Sequence, residues 1–299
     1  MLCAQRGDMV QRDEQFSRRA FLIAGEAAAL PLLLAGCAPA PAIEASAKTP
    51  APSGGTKMPS NPSSQVKPSI VLVHGAFADS SGWNGVIGEL QTAGFSVLAA
   101  ANPLRSVAAD AKSVAGVVKS VAGPVVLVGH SYGGAVISNA VEAGANVKAL
   151  VFVAAFAPDR GETCAELSGR YPGGTLGPAL AEPVALPGGD KDLYIRQEKF
   201  GAQFAADVPA QVARLMAVTQ RPITASALNE PAGSPAWKSV PSWFVYGDRD
   251  LNIPAAALAF MAERAHSKQT RVVEGGSHAF FVSNPKAVAE LIVRAAAAA

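Results

Sequence analysis

Residues 125–134 read Val-Val-Leu-Val-Gly-His-Ser-Tyr-Gly-Gly, and a helix-like segment, Ala135 to Val141, follows. An apolar β-branched run leads straight into Gly-x-Ser-x-Gly. That order is what a nucleophile elbow requires: a strand ends, the chain reverses within a few residues, and a helix begins. The turn holds Ser131 in a strained conformation with its hydroxyl exposed. Gly129 and Gly133 flank it because side chains there would collide as strand and helix close up. The strand before the motif and the helix after it give a short pattern its specificity.

The remainder of 68–299 repeats the same rhythm. Apolar runs at Ser69 to Val73, Ser96 to Ala101, Val125 to Val128, Ala149 to Ala154, Ser242 to Tyr246 and Thr270 to Val273 read as strands. They are continuous rather than alternating, which means strands covered on both faces. Helical patterns at Trp83 to Gln91, Val107 to Val121 and Ala135 to Val141 lie between them. The class is therefore α/β, a mostly parallel, doubly wound sheet. Residues 156–235 break the rhythm and are expected to form a cap over the C-terminal ends of the strands. Within this cap Asp207 reads as a helix N-cap with Pro209 in the first turn, and Arg221-Pro222 ends the helix.

Composition narrows the chemistry. The 299 residues are 49% hydrophobic and 16% charged, enough for one α/β domain with a large core plus appendages. A net charge of +2 points to no nucleic-acid partner and no strongly acidic substrate. Of the three cysteines, Cys3, Cys37 and Cys164, one lies in 68–299, so no disulfide forms within that domain. His74, His130, His266 and His278 are scattered, none in a His-Glu-x-x-His pattern, and no Gly-x-x-x-x-Gly-Lys-Ser/Thr loop occurs; neither metal nor cofactor is expected.

The N-terminal region reads as address and tether. Ser17-Arg18-Arg19-Ala20-Phe21-Leu22 resembles a twin-arginine export signal. The apolar stretch Ala20 to Leu34, interrupted by Glu26 and Pro31, is too short for a ~30 Å hydrocarbon core. Leu34-Ala35-Gly36-Cys37 resembles a bacterial lipobox, whose Cys is acylated and becomes the new N-terminus. The expectation is a signal peptide over 1–36, a Pro/Ala/Ser/Gly-rich spacer over 37–67, and a domain held to the membrane by a lipid anchor at Cys37, exported to the periplasmic side of the cell envelope.

Four segments carry a family resemblance: Val71-Leu72-Val73-His74-Gly75-Ala76-Phe77, Gly129-His130-Ser131-Tyr132-Gly133-Gly134, Tyr246-Gly247-Asp248-Arg249-Asp250 and Gly275-Gly276-Ser277-His278. In this order they resemble the α/β-hydrolase superfamily, across essentially all of 68–299. The His-Gly-Ala-Phe-Ala-Asp opening and the short cap are most similar to bacterial esterase-like relatives of plant methylesterases and hydroxynitrile lyases. The fold implied is the α/β-hydrolase fold with a cap insertion.

A serine hydroxyl needs a base at neutral pH. His278, in a loop after the last strand, is the first choice. His266 lies in a charged helical stretch and reads as a surface residue, while His74 and His130 read as structural. The base needs an orienting carboxylate. Asp248, Asp250 and, more distantly, Asp159 are open on position alone; the family pattern Gly-x-x-Asp points to Asp250. The oxyanion requires fixed N–H donors. Tyr132, at a helix start, supplies one, and the loop after Gly75 the other, with Ala76 first and Phe77 next in line. Phe77 and Trp83 are candidate pocket residues, and Phe280 and Phe281 read as packing.

The resemblance implies a serine hydrolase that cleaves a small-molecule carboxylic ester through an acyl-enzyme. The related lyases carry Thr where this chain has Gly75 and Lys where it has Ala279, and both departures favour the esterase. A hydroxynitrile lyase-like or perhydrolase-type reaction on the same triad, thioesterase or lactonase activity, and a non-catalytic ligand-binding role in the cell envelope are the alternatives.

Overall fold

The structure, a computed structural model, describes residues 67–299; the expected export signal, the expected lipid anchor at Cys37 and nearly all of the expected spacer lie outside the described residues. Six strands, β1 (Ser69–Val73), β2 (Val97–Ala100), β3 (Val125–His130), β4 (Val147–Val153), β8 (Ser242–Gly247) and β9 (Thr270–Val273), correspond one to one with the six apolar runs. They form a single parallel sheet in the order β2-β1-β3-β4-β8-β9. Every residue of β3 and β8 is buried, whereas the edge strands β2 and β9 carry exposed positions. Strands covered on both faces can be apolar throughout, which is why the inner runs are unbroken. Because the strands are parallel, their C-terminal ends share one edge, where ligands bind in sheets of this kind.

Helices α1 (Asn84–Thr92) and α10 (Pro285–Ala297) pack against each other, as do α2 (Val107–Ser120) and α3 (Tyr132–Asn139), and α8 (Ala255–Arg264) lies on β8. The short α9 (Phe280–Ser283) joins the loop of His278 to α10. Ser106 caps α2 through its hydroxyl, 3.2 Å from the Ala109 amide. The Glu230 carboxylate, arriving from the end of the insertion, accepts from the Val107 and Ala108 amides at 2.6 and 3.1 Å. A carboxylate there satisfies free donors and meets the positive end of the helix dipole.

Between β4 and β8 the insertion carries α4 (Cys164–Gly169), α5 (Gln197–Phe204), α6 (Ala210–Thr219) and α7 (Ala225–Asn229). It also holds a small antiparallel sheet of β5 (Val184–Ala185), β6 (Lys191–Leu193) and β7 (Ile223–Thr224). Strands this short have no readable period, and none was expected from the sequence. The cap is stitched to the core by an Arg105–Asp192 ion pair and by the Thr224 hydroxyl on the Arg105 carbonyl at 3.0 Å. One expectation fails here. Helix α6 has Pro209 at its N-cap with no side-chain cap, because the Asp207 carboxylate is engaged elsewhere.

Candidate active site

Strand β3 delivers Ser131 to the middle of the sheet's C-terminal edge. Its backbone is at φ 53°, ψ −124°, a left-handed conformation that a residue with a Cβ adopts only when its surroundings enforce it. The enforcement is visible. The Ser131 amide donates to the Val153 carbonyl at 3.2 Å, and its own carbonyl accepts from Gly134 and Phe156 at 2.9 and 3.1 Å. A Cβ at Gly129 would lie 2.5 Å from the Gly133 carbonyl oxygen, so the strand and helix approach as the motif requires. Gly75 matters more directly still: a Cβ there would stand 2.5 Å from the Cβ of Ser131. The missing side chain makes room for Ser131 itself.

The other members of the set come from the ends of β8 and β9. His278 Nδ1 lies 2.7 Å from Asp250 Oδ2, both side chains fully buried. The second Asp250 oxygen accepts from the Asn252 and Ile253 amides at 2.8 and 2.9 Å, which locks the carboxylate's rotamer. The proton of the neutral imidazole therefore sits on Nδ1, and Nε2 is a bare acceptor with no partner among the described residues. No hydrogen bond joins Nε2 to the Ser131 hydroxyl; this contact commonly tightens only once substrate binds. The rival carboxylates point elsewhere. Asp248 accepts from the Gly275 amide at 2.6 Å on the exposed side of the turn, and Asp159 pairs with Lys238 at 2.5 Å. His266 is exposed at the end of α8.

Ala76, Tyr132 and Ser131 line one cavity of about 370 Å³ beneath the cap. The Ala76 amide donates to no group among the described residues, and the Tyr132 amide, first in α3, has no intrahelical acceptor. Phe77 lines the same cavity, but its amide is bonded to the Arg221 carbonyl at 2.9 Å and is not a free donor. Phe77 also holds a positive φ of 58°, a second strained residue on the cavity that Ser131 lines. The cap contributes Cys164, Ser168, Leu176 and Leu180, with Leu228 further along, and no charged side chain faces the space.

Trp83 is a correction. Expected at the pocket, it is wholly buried in the core, its ring 4.6 Å from that of Phe281 and edge-on to His130 at 6.3 Å. It ends a short 3₁₀ turn, Ser80–Trp83, that aims the side chain inward rather than at the cavity. Phe280 and Phe281 are buried packing residues.

Two further histidines have defined work. His74 Nε2 accepts from the Asn102 amide at 3.0 Å, which leaves the proton on Nδ1, bonded to the Gly75 carbonyl at 2.9 Å. The glycine next to Ser131 is thereby pinned. His130 Nε2 donates to the His278 carbonyl at 3.1 Å, so the residue before Ser131 holds the backbone of residue 278 across 148 positions. Nothing in the sequence marks this contact, because it depends on where the β9 loop returns. Burial lowers the pKa of His74, and burial followed by the electrostatic interaction with the adjacent His278 ring lowers that of His130 well below the ordinary value.

The linkage has a definite sign. These two side chains stay neutral in the folded chain while the unfolded chain protonates them near pH 6.5, so the unfolded state binds more protons below that value. Their contribution to stability is complete above about pH 6.5 and is lost as pH falls toward their lowered folded values. Each removes about 1.4 kcal/mol per pH unit once the unfolded imidazole is fully charged. Denaturant melts at pH 7.5 and 5.5 should show the fall, and His130→Gln should reduce its slope by about one proton. Equal slopes in the two proteins would remove His130 from this account.

A sheet of six parallel strands, a strained serine on its central turn and a buried His278–Asp250 pair at the same edge are the features of the α/β-hydrolase class. Residues 70–291 match the alpha/beta hydrolase family, and the chain belongs to it. The curated alpha/beta hydrolase nvfD of Aspergillus novofumigatus is 26% identical over 255 residues, covering 77% of this chain and 97% of that one. Among solved structures, polyneuridine aldehyde esterase superposes with a TM-score of 0.67 at 18% identity, over 77% of this chain and 99% of its own. An extracellular alpha/beta-hydrolase from a Paenibacillus species gives 0.58 at 25% identity, over 76% and 98%. A pyrethroid hydrolase from Sphingobium faniae gives 0.59 at 23% identity, over 77% and 98%.

Proposed function

We propose that this chain is a serine esterase acting on uncharged carboxylic esters with an apolar acyl or alcohol group. The observation that carries the reading is the convergence on one cavity of the strained Ser131 and two unengaged amides, Ala76 and Tyr132, with the His278–Asp250 pair on the adjoining loops. Ser131 Oγ attacks the ester carbonyl while His278 Nε2 takes its proton. The oxyanion is held by the two amides, whose positions are fixed before the reaction starts. His278 then protonates the leaving alcohol, and water, deprotonated by the same nitrogen, cleaves the acyl-enzyme. Asp250 keeps the ring in the required tautomer and stabilises the imidazolium.

The cavity supports the substrate class. Its wall has no charged side chain to receive a carboxylate or phosphate, and the Tyr132 hydroxyl is turned away onto Asp110 at 2.9 Å. The free volume of about 370 Å³ is at the small end of ligand pockets. The test is a p-nitrophenyl ester series of rising acyl length together with labelling by a fluorophosphonate probe. Turnover should be greatest on short to medium chains and fall steeply beyond them, and the probe should attach at Ser131. Folded protein that neither reacts with the probe nor hydrolyses any ester would return the chain to the ligand-binding alternative.

A further inference from the structure

The loop carrying His278 is poorly equipped to hold itself in place. It begins with Gly275, at φ 71°, and Gly276, two residues with no side chain to anchor them. The core holds it through His130 on the His278 carbonyl, Asp248 on the Gly275 amide and the Arg249 amide on the Gly276 carbonyl, and the cap grips it on both sides of His278. The Asp207 carboxylate, just beyond α5, accepts from the Ser277 amide at 3.2 Å and from the Ser277 hydroxyl through one oxygen. Its other oxygen accepts from the Ser283 hydroxyl at 2.5 Å. Ser277 precedes His278 and Ser283 closes the short helix after it, so one carboxylate grips both flanks of the base. The last residue of α5 adds to this: the Phe204 carbonyl accepts from the Ala279 amide at 2.9 Å, and its ring meets the His278 imidazole edge-on at 4.9 Å. One residue earlier, Gln203 donates to the Leu251 carbonyl at 2.9 Å and to Asn252 Oδ1 at 2.8 Å, on the turn that carries Asp250.

We propose that Asp207 is a positioning residue, which with Gln203 makes the end of cap helix α5 a clamp on the acid and base loops. The cap then does more than shape the cavity. It sets the distance between His278 and Asp250, and so the fraction of molecules in which Nε2 is oriented for proton transfer. The inference rests on the esterase reading for its kinetic consequence but not for its structural one.

Two readouts test it on the folded chain. Asp207→Ala should lower kcat by about 10–100-fold with KM held within about threefold, because orientation of the base is lost while the cavity is untouched. Asp207→Asn, which keeps an acceptor oxygen, should recover part of the loss. Independently of any substrate, the low-field proton resonance of the His278 Nδ1–H should broaden or vanish in Asp207→Ala and persist in Asp207→Asn. Should Asp207→Ala fail to fold, Ser283→Ala removes one grip and should broaden the same resonance. An intact resonance in a folded variant, or kcat within twofold of the parent, overturns the clamp. If the parent chain hydrolyses no ester yet the resonance still responds to Asp207, the esterase reading fails and the clamp stands.

Discussion

Ser131→Ala should fold as the parent does and lose at least about 10³-fold in ester turnover, since no other group in the cavity carries a nucleophilic oxygen with a base in reach. The cavity's other hydroxyls are committed or remote from His278: Ser168 donates to the Asn252 carbonyl at 2.9 Å and Tyr132 to Asp110. The same position makes a second, opposite prediction about stability. At φ 53° and ψ −124° any Cβ is strained, and alanine retains the Cβ. Ser131→Gly removes it and should be the more stable of the two inactive variants by about 1–2 kcal/mol. Initial rates on a short p-nitrophenyl ester and denaturant melts of the three proteins give both numbers. Turnover of Ser131→Ala within tenfold of the parent sinks the nucleophile assignment. Equal stability of the alanine and glycine variants shows that the elbow stores no strain.

The sheet was legible because its inner strands are covered on both faces and so consist of unbroken apolar runs. The elbow was legible because Gly-x-Ser-x-Gly sits between an apolar strand-like run and a helix-like segment. The carboxylate was less so. Asp248 and Asp250 follow the same strand two residues apart, and only the fold shows one capping the Gly275 amide outside and the other buried against His278. Asp207 has the local signature of a helix cap, and a tertiary partner outbids the local one; a carboxylate that can reach two hydroxyls and an amide gains more than one that caps a single turn. Trp83 misled for a related reason. An aromatic residue near the entrance loop can face either way, and here a single 3₁₀ turn sends it to the core. His130 carried no signal at all, since its partner lies at the other end of the domain.

Gly247→Ala is the second substitution with a large expected effect, and it follows from the closest backbone approach in the site. Gly247 is the last residue of β8, and a Cβ on it would lie 2.0 Å from the carbonyl oxygen of Gly276 and 2.4 Å from its carbonyl carbon. These are backbone atoms, so no side chain can rotate aside to accept the methyl. The two segments are also tied together there: the Arg249 amide donates to that same Gly276 carbonyl at 3.0 Å, and the Asp248 amide to Val273 at 3.2 Å. Gly247 leads into the turn of Asp250, and Gly276 leads into Ser277 and His278. A methyl group at 247 therefore drives the acid-bearing turn and the base-bearing loop apart at the point where their 2.7 Å contact is set. Overpacking of this kind should cost about 1–3 kcal/mol in stability. A displacement of the base by about 1 Å should cost about 10²-fold in kcat, because proton transfer depends on alignment more steeply than folding does on one contact. Folded Gly247→Ala, judged by its unfolding transition, should thus be far more impaired in turnover than in stability, with KM little changed. A variant that keeps full kcat would mean that the two loops are not held in register by this contact, and the source of the His278–Asp250 alignment would have to lie wholly in the cap.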